Sequence, residues 1–288
     1  MLKDIFGNKD FYINLINNNP LYVVWFLFYF IVSVALLGSS FGAFILTSIL
    51  YVISLTIALS PLGEMILRFF EKVRPLYTKR EQEYLIPLFE DVYDSAKEVV
   101  PDLPEIEICI IDTMAVNALA LGRNTIAVTK GAVETFSEEE LKAVIAHEIA
   151  HIINGDTIAT LLTVIGNGIF TILVLASKII LRWIDSIQHP KSFGKLTTTI
   201  ARMIFVACIF VFMFVGNFIV SINSRKSEHR ADEFAYELEY GEELVEALYI
   251  IQQISLEDNS DTVARLTASH PHIAKRIGTI ETLIDGES

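Results

Sequence analysis

Cysteine is nearly absent from this 288-residue chain, which has only Cys109 and Cys208. One lies in a strand-like stretch and the other inside an apolar run, so neither a disulfide framework nor a cysteine-ligated metal site is expected. Basic residues are scarce relative to acidic ones, 22 against 35, and the formal net charge is −13. That balance repels polyphosphate and excludes nucleic acid as an expected partner. The first long apolar run lacks a small-x-small cleavage site, follows twenty mostly polar residues, and leads straight into a second run. It reads as a retained membrane helix rather than a secretory leader. No ionisable side chain sits in the middle of any long apolar run, which counts against an ion or proton carrier. Internal repeats and low-complexity tracts are absent as well.

Apolar residues are plentiful, at 52% of the chain. They cluster in runs, where a soluble core would interleave them with polar residues. Four stretches, 21–38, 41–60, 157–181 and 199–222, reach the roughly 20 residues that a bilayer crossing requires. The expected fold is a mainly α integral membrane protein with four transmembrane helices and one split α+β domain. Residues 1–60 form an N-terminal segment and a membrane hairpin, and 61–156 the first half of the polar domain. Residues 157–222 form a second hairpin, and 223–288 the second half. Near the membrane, the side holding both domain halves carries ten Lys and Arg, against three on the side of the 182–198 loop. That asymmetry places the domain in the cytoplasm, on a multi-pass protein of the plasma membrane.

Within the polar segments, 78–99 has helical periodicity, and Pro101 and Pro104 end it. Ile106, Ile108 and Ile110 alternate along a strand over 105–112, and 124–129 is a second strand. The stretch between them, TMAVNALALGR, reads as irregular, with Gly122 marking a turn. Ser137 followed by Glu140 forms a capping box that opens a helix with Leu141, Val144, Ile145, Ile149 and Ile152 on its apolar stripe. Further helices are expected over about 224–238 and 242–256, and from Pro271 to about Ile284.

The capped helix contains AVIAHEIAHIINGD, residues 143–156. His147 and His151, four apart, project from one helical face and can address one ion, while Glu148, one position round, reaches a water on it. Two imidazoles and a carboxylate suit zinc with one open position. The alternative is a pair of buried histidines satisfied by ordinary hydrogen bonds. Asn154 and Thr157 stand where a metzincin continuation would need glycine and histidine, so a third ligand must come from elsewhere. In SRKSEHRADEFA, 224–235, Glu228 and Asp232 share a helical face. Glu228 can complete the ligand set, and Asp232 can accept a hydrogen bond from a ligand histidine. The alternative there is a charged, solvated helix face. His151 lies six residues before Thr157, and Glu228 six after Ile222. If both helices continue straight from the apolar runs, each residue stands about 9 Å beyond the membrane end.

In these motifs the chain resembles the HtpX family of membrane-bound zinc metalloproteases. The matching stretches are MAVNALALGRNTIAVTKGAVE (114–134), SEEELKAVIAHEIAHIINGD (137–156), SRKSEHRAD (224–232) and SHPHIAKRI (269–277). The resemblance implies a zincin-like, gluzincin-type endopeptidase with one Zn2+ per chain and a cytoplasmic active site. It implies His147, His151 and Glu228 as zinc ligands, Glu148 as general base and Asp232 as the carboxylate behind a ligand. It further implies that Asn117 and Ala118 lie on a strand edge where an extended polypeptide adds as a further strand. Misfolded or damaged membrane proteins are the implied substrates, and the lipid bilayer is the implied anchor that keeps the site near them.

His270 can reach the cleft as a transition-state donor or gating ligand, or else it is a helix-entry residue before Pro271. His189, His229 and His272 are expected to be exposed. Asn167 and Asn217 lie beside Gly166, Gly168 and Gly216, where small residues allow close helix contact and the amides can bond across it. Two other functions fit parts of the pattern. A prenyl-protein peptidase would have a related site but more spans. A non-catalytic membrane adaptor with structural zinc would prefer a closed four-ligand site.

Overall fold

The structure, a computed structural model, describes residues 20–37, 40–172, 226–257 and 273–287, together with 176 and 179. The expected span at 199–222, the 182–198 loop, His189, Asn217, His270 and His272 lie outside the described residues. Two apolar helices come first, α1 (Pro20–Leu37) and α2 (Phe41–Ala58). The Ser40 hydroxyl starts α2 by accepting the Ala43 N–H at 3.1 Å. Among the described residues, α2 is the one single helix long and apolar enough to cross a bilayer, and α1 is apolar over Pro20–Ile31. Phe41, Phe44, Ile49 and Val52 project outward from α2, as suits a helix whose solvent is lipid.

A short helix, α3 (Pro61–Phe70), follows, with the Ser60 hydroxyl as its cap and Pro61 in the first turn, where a missing N–H does no harm. Arg68 binds Glu64, Glu107 and Thr125, and the Thr125 hydroxyl donates to Glu64 at 2.6 Å. These bonds fasten the segment after α2 to the sheet. The sheet has four strands, β1 (Val73–Arg74), β2 (Glu107–Ile111), β3 (Ala118–Leu121) and β4 (Thr125–Thr129), in the order β1-β2-β4-β3. β2 and β4 are parallel, and the outer strands pair antiparallel. Between β1 and β2 runs α4 (Lys79–Val99), opened by a Thr78–Glu81 capping box, and a short helix, α5 (Lys130–Thr135), follows β4.

β3 corrects the reading of 113–123 as irregular. Its Ala-Leu-Ala-Leu sequence has no β-branched residue and by propensity favours helix. Antiparallel pairing with β4, from Ala118↔Val128 to Leu121↔Thr125, overrides that preference. Gly122 adopts φ 60°, the left-handed conformation that the tight return to β4 needs.

Both faces of the sheet are covered. Ile108, Ile110, Ile126 and Val128 face a core with Leu85 and Val92 of α4. On that side also lie α6 (Glu138–Ile153), α9 (Gly241–Glu257) and α10 (Ile273–Glu287), through Leu141, Ile145, Leu244, Leu248 and Ile277. Cys109, Ile111, Leu121 and Ala127 pack on the opposite face against Ala58 of α2, Leu67 of α3, and Leu161 and Ile165 of the apolar stretch after residue 156. Sequence alternation along β2 therefore marks two apolar faces with different partners.

A further correction concerns the ligand helix. The matched-height argument needs α6 to run straight into the apolar segment. Instead the chain bends by 66° between Glu138–Ile153 and Asp156–Ile172. Gly155, at φ 73°, makes the turn; that conformation costs an ordinary L-residue roughly 1–2 kcal/mol. The chain resumes as α7 (Asp156–Leu161), then a π-turn at Leu162–Gly166 and a helical stretch to residue 172. Gly166 meets Leu55 and Ala58 of α2 closely, as expected of a small residue at a helix contact. The Asn167 amide, by contrast, finds no partner among the described residues; it is the Asn167 backbone carbonyl that accepts the Tyr29 hydroxyl, at 2.9 Å.

The cap of α6 provides a direct test of local sequence coding. Ser137 accepts the Glu140 N–H at 3.3 Å and Glu140 accepts the Ser137 N–H at 2.8 Å. Ser137→Ala should lower stability by about 1 kcal/mol, read as a shift of the denaturation midpoint of detergent-solubilised protein. An unchanged midpoint would mean that tertiary packing alone holds the helix start.

Candidate metal centre

The capping box and the acidic first turn, Glu138–Glu140, stabilise the start of α6 against its own dipole. From Leu141 to Ile152 nearly the whole helix is buried. The alanines at 143, 146 and 150 complement the larger apolar stripe and let neighbouring elements approach closely. His147, Glu148 and His151 are carried into this interior, at 3%, 3% and 8% exposure. A polar side chain so placed requires a partner.

The partners come from helix α8, residues 226–237, and from the last helix. Glu228 and Asp232, 4% and 1% exposed, face the histidines. His147 Nε2 and His151 Nε2 stand 3.2 Å apart, and each lies 3.5 Å from an oxygen of Glu228. Two ligand atoms at zinc-like bond lengths from one tetrahedral ion lie roughly 3.3–3.6 Å apart. The separation of the two nitrogens is close to such an edge, one Glu228 oxygen faces each ring (Oε2 toward His147, Oε1 toward His151), and these three residues can hold a metal ion. The imidazole planes are nearly perpendicular, at 89°, so the two Nε2 atoms converge without the rings stacking.

Behind the ligand atoms, His147 Nδ1 is 3.0 Å from Asp232 Oδ1, and His151 Nδ1 is 3.1 Å from Asp156 Oδ2. Arg276, 7% exposed, donates to both Asp232 oxygens at 2.6 and 2.9 Å and pairs with Glu228 at 2.8 Å. Arg230 donates to Asp156 at 3.1 Å. Burial and Arg276 disfavour a charged His147, but Asp232 and Glu228 outweigh them, and its pKa sits above the usual histidine value. At His151, burial again opposes the charge, and Asp156, Glu228 and Glu148 raise the pKa further. Burial pushes Asp232 upward, yet Arg276 and His147 prevail and hold it below the usual carboxylate range. With neutral imidazoles, the carboxylates of Glu148, Asp156, Glu228 and Asp232 exceed the two guanidiniums by two charges. A divalent cation balances that excess.

Glu148 Oε2 accepts the Ala120 N–H of edge strand β3 at 2.6 Å. A cleft of about 480 Å³, counting space open to solvent, runs along this side. Asn117 and Ala118 line it together with His147, Glu148, Phe136 and Leu248. Thr129 ties the start of β3 to the end of β4 by accepting the Asn117 N–H at 3.0 Å and donating to its carbonyl at 2.8 Å. The structure thus brings together His147, His151, Glu148, Glu228, Asp232, Asn117 and Ala118. His229 is exposed and pairs with Glu233, away from the centre.

Three residues of the centre had no role in the sequence reading: Arg276, Asp156 and Arg230. Arg276 carried a signal, because it interrupts the apolar stripe of Ile273, Ile277 and Ile280, and a charge on such a face demands a buried counter-charge. Asp156 carried none, since a residue five positions after His151 on a straight helix faces elsewhere.

A model of peptidase family M48 matches residues 79–284. The chain is 28% identical to Protease HtpX of Actinobacillus pleuropneumoniae serotype 5b (strain L20) over 211 residues, 68% of this chain and 72% of that one. It is 29% identical to Protease HtpX of Pseudomonas fluorescens (strain SBW25) over 223 residues, 70% and 72% of the respective chains. The crystal structure of S. mikatae Ste24p superposes with a TM-score of 0.52 at 22% identity, covering 97% of this chain and 69% of that one, a likeness of fold. With a family match across most of its length and the histidine pair and glutamates gathered in one buried site, the chain belongs to peptidase family M48 and is an HtpX-type, membrane-associated metallopeptidase.

Proposed function

We propose that the chain is a zinc-dependent endopeptidase in which His147, His151 and Glu228 hold one zinc ion and Glu148 is the general base. The observation that carries this reading is the convergence of three buried groups: the two Nε2 atoms 3.2 Å apart, and one oxygen of the Glu228 carboxylate 3.5 Å from each of them, with Glu148 next to His147 on the same helix. When bound, zinc would supply Lewis-acid polarisation of the scissile carbonyl and of the attacking water. Glu148 takes the proton from that water and returns it to the leaving amine. Asp232 keeps His147 in the tautomer that presents Nε2. The Asn117–Ala118 edge receives an extended polypeptide through main-chain hydrogen bonds, since β3 has no strand on its outer side among the described residues.

The basic bias around the domain supports a cytoplasmic site on a multi-pass plasma-membrane protein. The close packing of the sheet on bilayer-adjacent segments supports substrates drawn from misfolded or damaged membrane proteins. The likeness to Ste24p, at 22% identity, speaks for the fold alone and does not choose between an endopeptidase and a prenyl-protein peptidase.

Glu148→Gln should lower casein or self-cleavage by roughly 10²–10⁴-fold while zinc content stays near one per chain. Equal, chelator-insensitive cleavage in both proteins would overturn the proposal. His147→Ala should lose stoichiometric zinc, measured by elemental analysis after dialysis against a metal buffer.

The raised histidine pKa values set a pH dependence. In metal-free protein, protonated His147 and His151 bonded to their carboxylates contribute stability. That contribution is full below the unfolded histidine pKa and fades as pH rises through the raised folded values. Zinc requires the deprotonated imidazoles and takes over in that upper range. The difference in melting temperature between zinc-loaded and metal-stripped protein should therefore widen from acidic to mildly alkaline pH. A difference constant across that range would contradict the assignment of these histidines as ligands.

A further inference from the structure

We propose that Asp156 and Arg230 form a second positioning relay that aims His151 at the metal, and that the bend at Gly155 exists to complete it. The proposal rests on His147, His151 and Glu228 being the zinc ligands. The two histidines have matching surroundings. His147 backs onto Asp232, which Arg276 holds, and His151 backs onto Asp156, which Arg230 holds. In each case an aspartate stands 3.0–3.1 Å from Nδ1 and an arginine binds the aspartate. A carboxylate at Nδ1 places the ring proton there and leaves the Nε2 lone pair for the ion. His151 Nε2 itself lies 3.2 Å from His147 Nε2 and 3.5 Å from Glu228 Oε1.

Chain geometry shows what the arrangement requires. On a straight α-helix a residue five positions on is rotated by roughly 140° about the axis and cannot face the first. Asp156 reaches His151 because Asn154 and Gly155 break the helix, with Gly155 at φ 73°. The resulting 66° turn brings the first residue of α7 back over the imidazole. Asp156 is 8% exposed, so its charge needs the Arg230 guanidinium as well as the ring. Arg230 lies two residues after Glu228 on the same helix. One ion pair therefore fixes the ligand helix α6, the bend and the Glu228 helix against each other. The start of α7, the helix that continues into the apolar segment, is part of the metal site's frame. A change in the tilt of that segment acts on the orientation of His151.

The test is zinc affinity, measured by chelator competition on full-length protein in detergent, with the visible absorption of the cobalt-substituted protein as a second readout. Asp156→Ala should weaken zinc binding by about 10–100-fold and shift the cobalt bands, and it should also lower the metal-free melting temperature through loss of the buried ion pair. Asp156→Glu should restore part of the affinity, and Arg230→Gln should give a smaller loss. Asp156→Ala combined with Arg230→Gln should be no weaker than Asp156→Ala alone, because Arg230 acts through Asp156. If Asp156→Ala does not fold, Asp156→Asn carries the test, and it too must bind zinc more weakly. Wild-type affinity and an unshifted cobalt spectrum in Asp156→Ala, or wild-type affinity in Asp156→Asn, would overturn the relay. His147→Ala serves as the control: if it keeps wild-type zinc binding, the ligand assignment itself fails, whereas loss of zinc there with no effect at Asp156 sinks the relay alone.

Discussion

Charge that is buried must be balanced, and the architecture of this protein follows from meeting that requirement at one place. Glu148, Glu228, Asp232 and Asp156 are all carried into the interior beside two imidazoles. Removing a partner from a buried ion pair typically costs 3–5 kcal/mol, more than most single contacts in a core. The neighbours are distributed accordingly. Arg276 reaches in from the last helix, and Arg230 from the helix that bears Glu228. α6, α7, α8 and α10 are thus cross-linked through one cluster, and the C-terminal helix is a structural member of the metal site as well as its cover.

The sheet connects that arrangement to the apolar helix α2 and its neighbours. Its two apolar faces have different occupants, α4, α6, α9 and α10 on one and the ends of α2, α3 and the 156–166 stretch on the other. Separating the domain from those segments would expose Cys109, Ile111, Leu121 and Ala127 to water. Arg68, with Glu64, Glu107 and Thr125, adds polar bonds across the same junction. The sheet and the apolar segments around α2 are one packed unit, and the outer edge of β3 borders the cleft.

The parts legible in sequence were those coded by neighbours along the chain. The Ser137–Glu140 box opens α6 where its pattern says, because both hydrogen bonds close within four residues. Ile106, Ile108 and Ile110 alternate as a strand does, and β2 and β4 fall within their expected ranges. The parts that misled were those where a distant partner decides. Ala118–Leu121 becomes a strand only because β4 is there to pair with it. The helix carrying HEIAH turns at Gly155 instead of running on, since the left-handed conformation of one glycine outweighs a continuous apolar pattern.

By itself, then, the sequence determined the chemistry of the site. Two histidines four apart on a capped helix, a glutamate between them and a second acidic pair downstream are set by helical periodicity, which is a local property. Only the tertiary structure decided which side chains complete it. Arg276, Asp156 and Arg230 lie 129, 5 and 79 residues from the histidines they support, and their placement follows from the 66° bend and from helices brought together by a shared core. Spacing along a chain fixes what shares a helical face, but a buried charge takes whichever counter-charge the fold brings within reach.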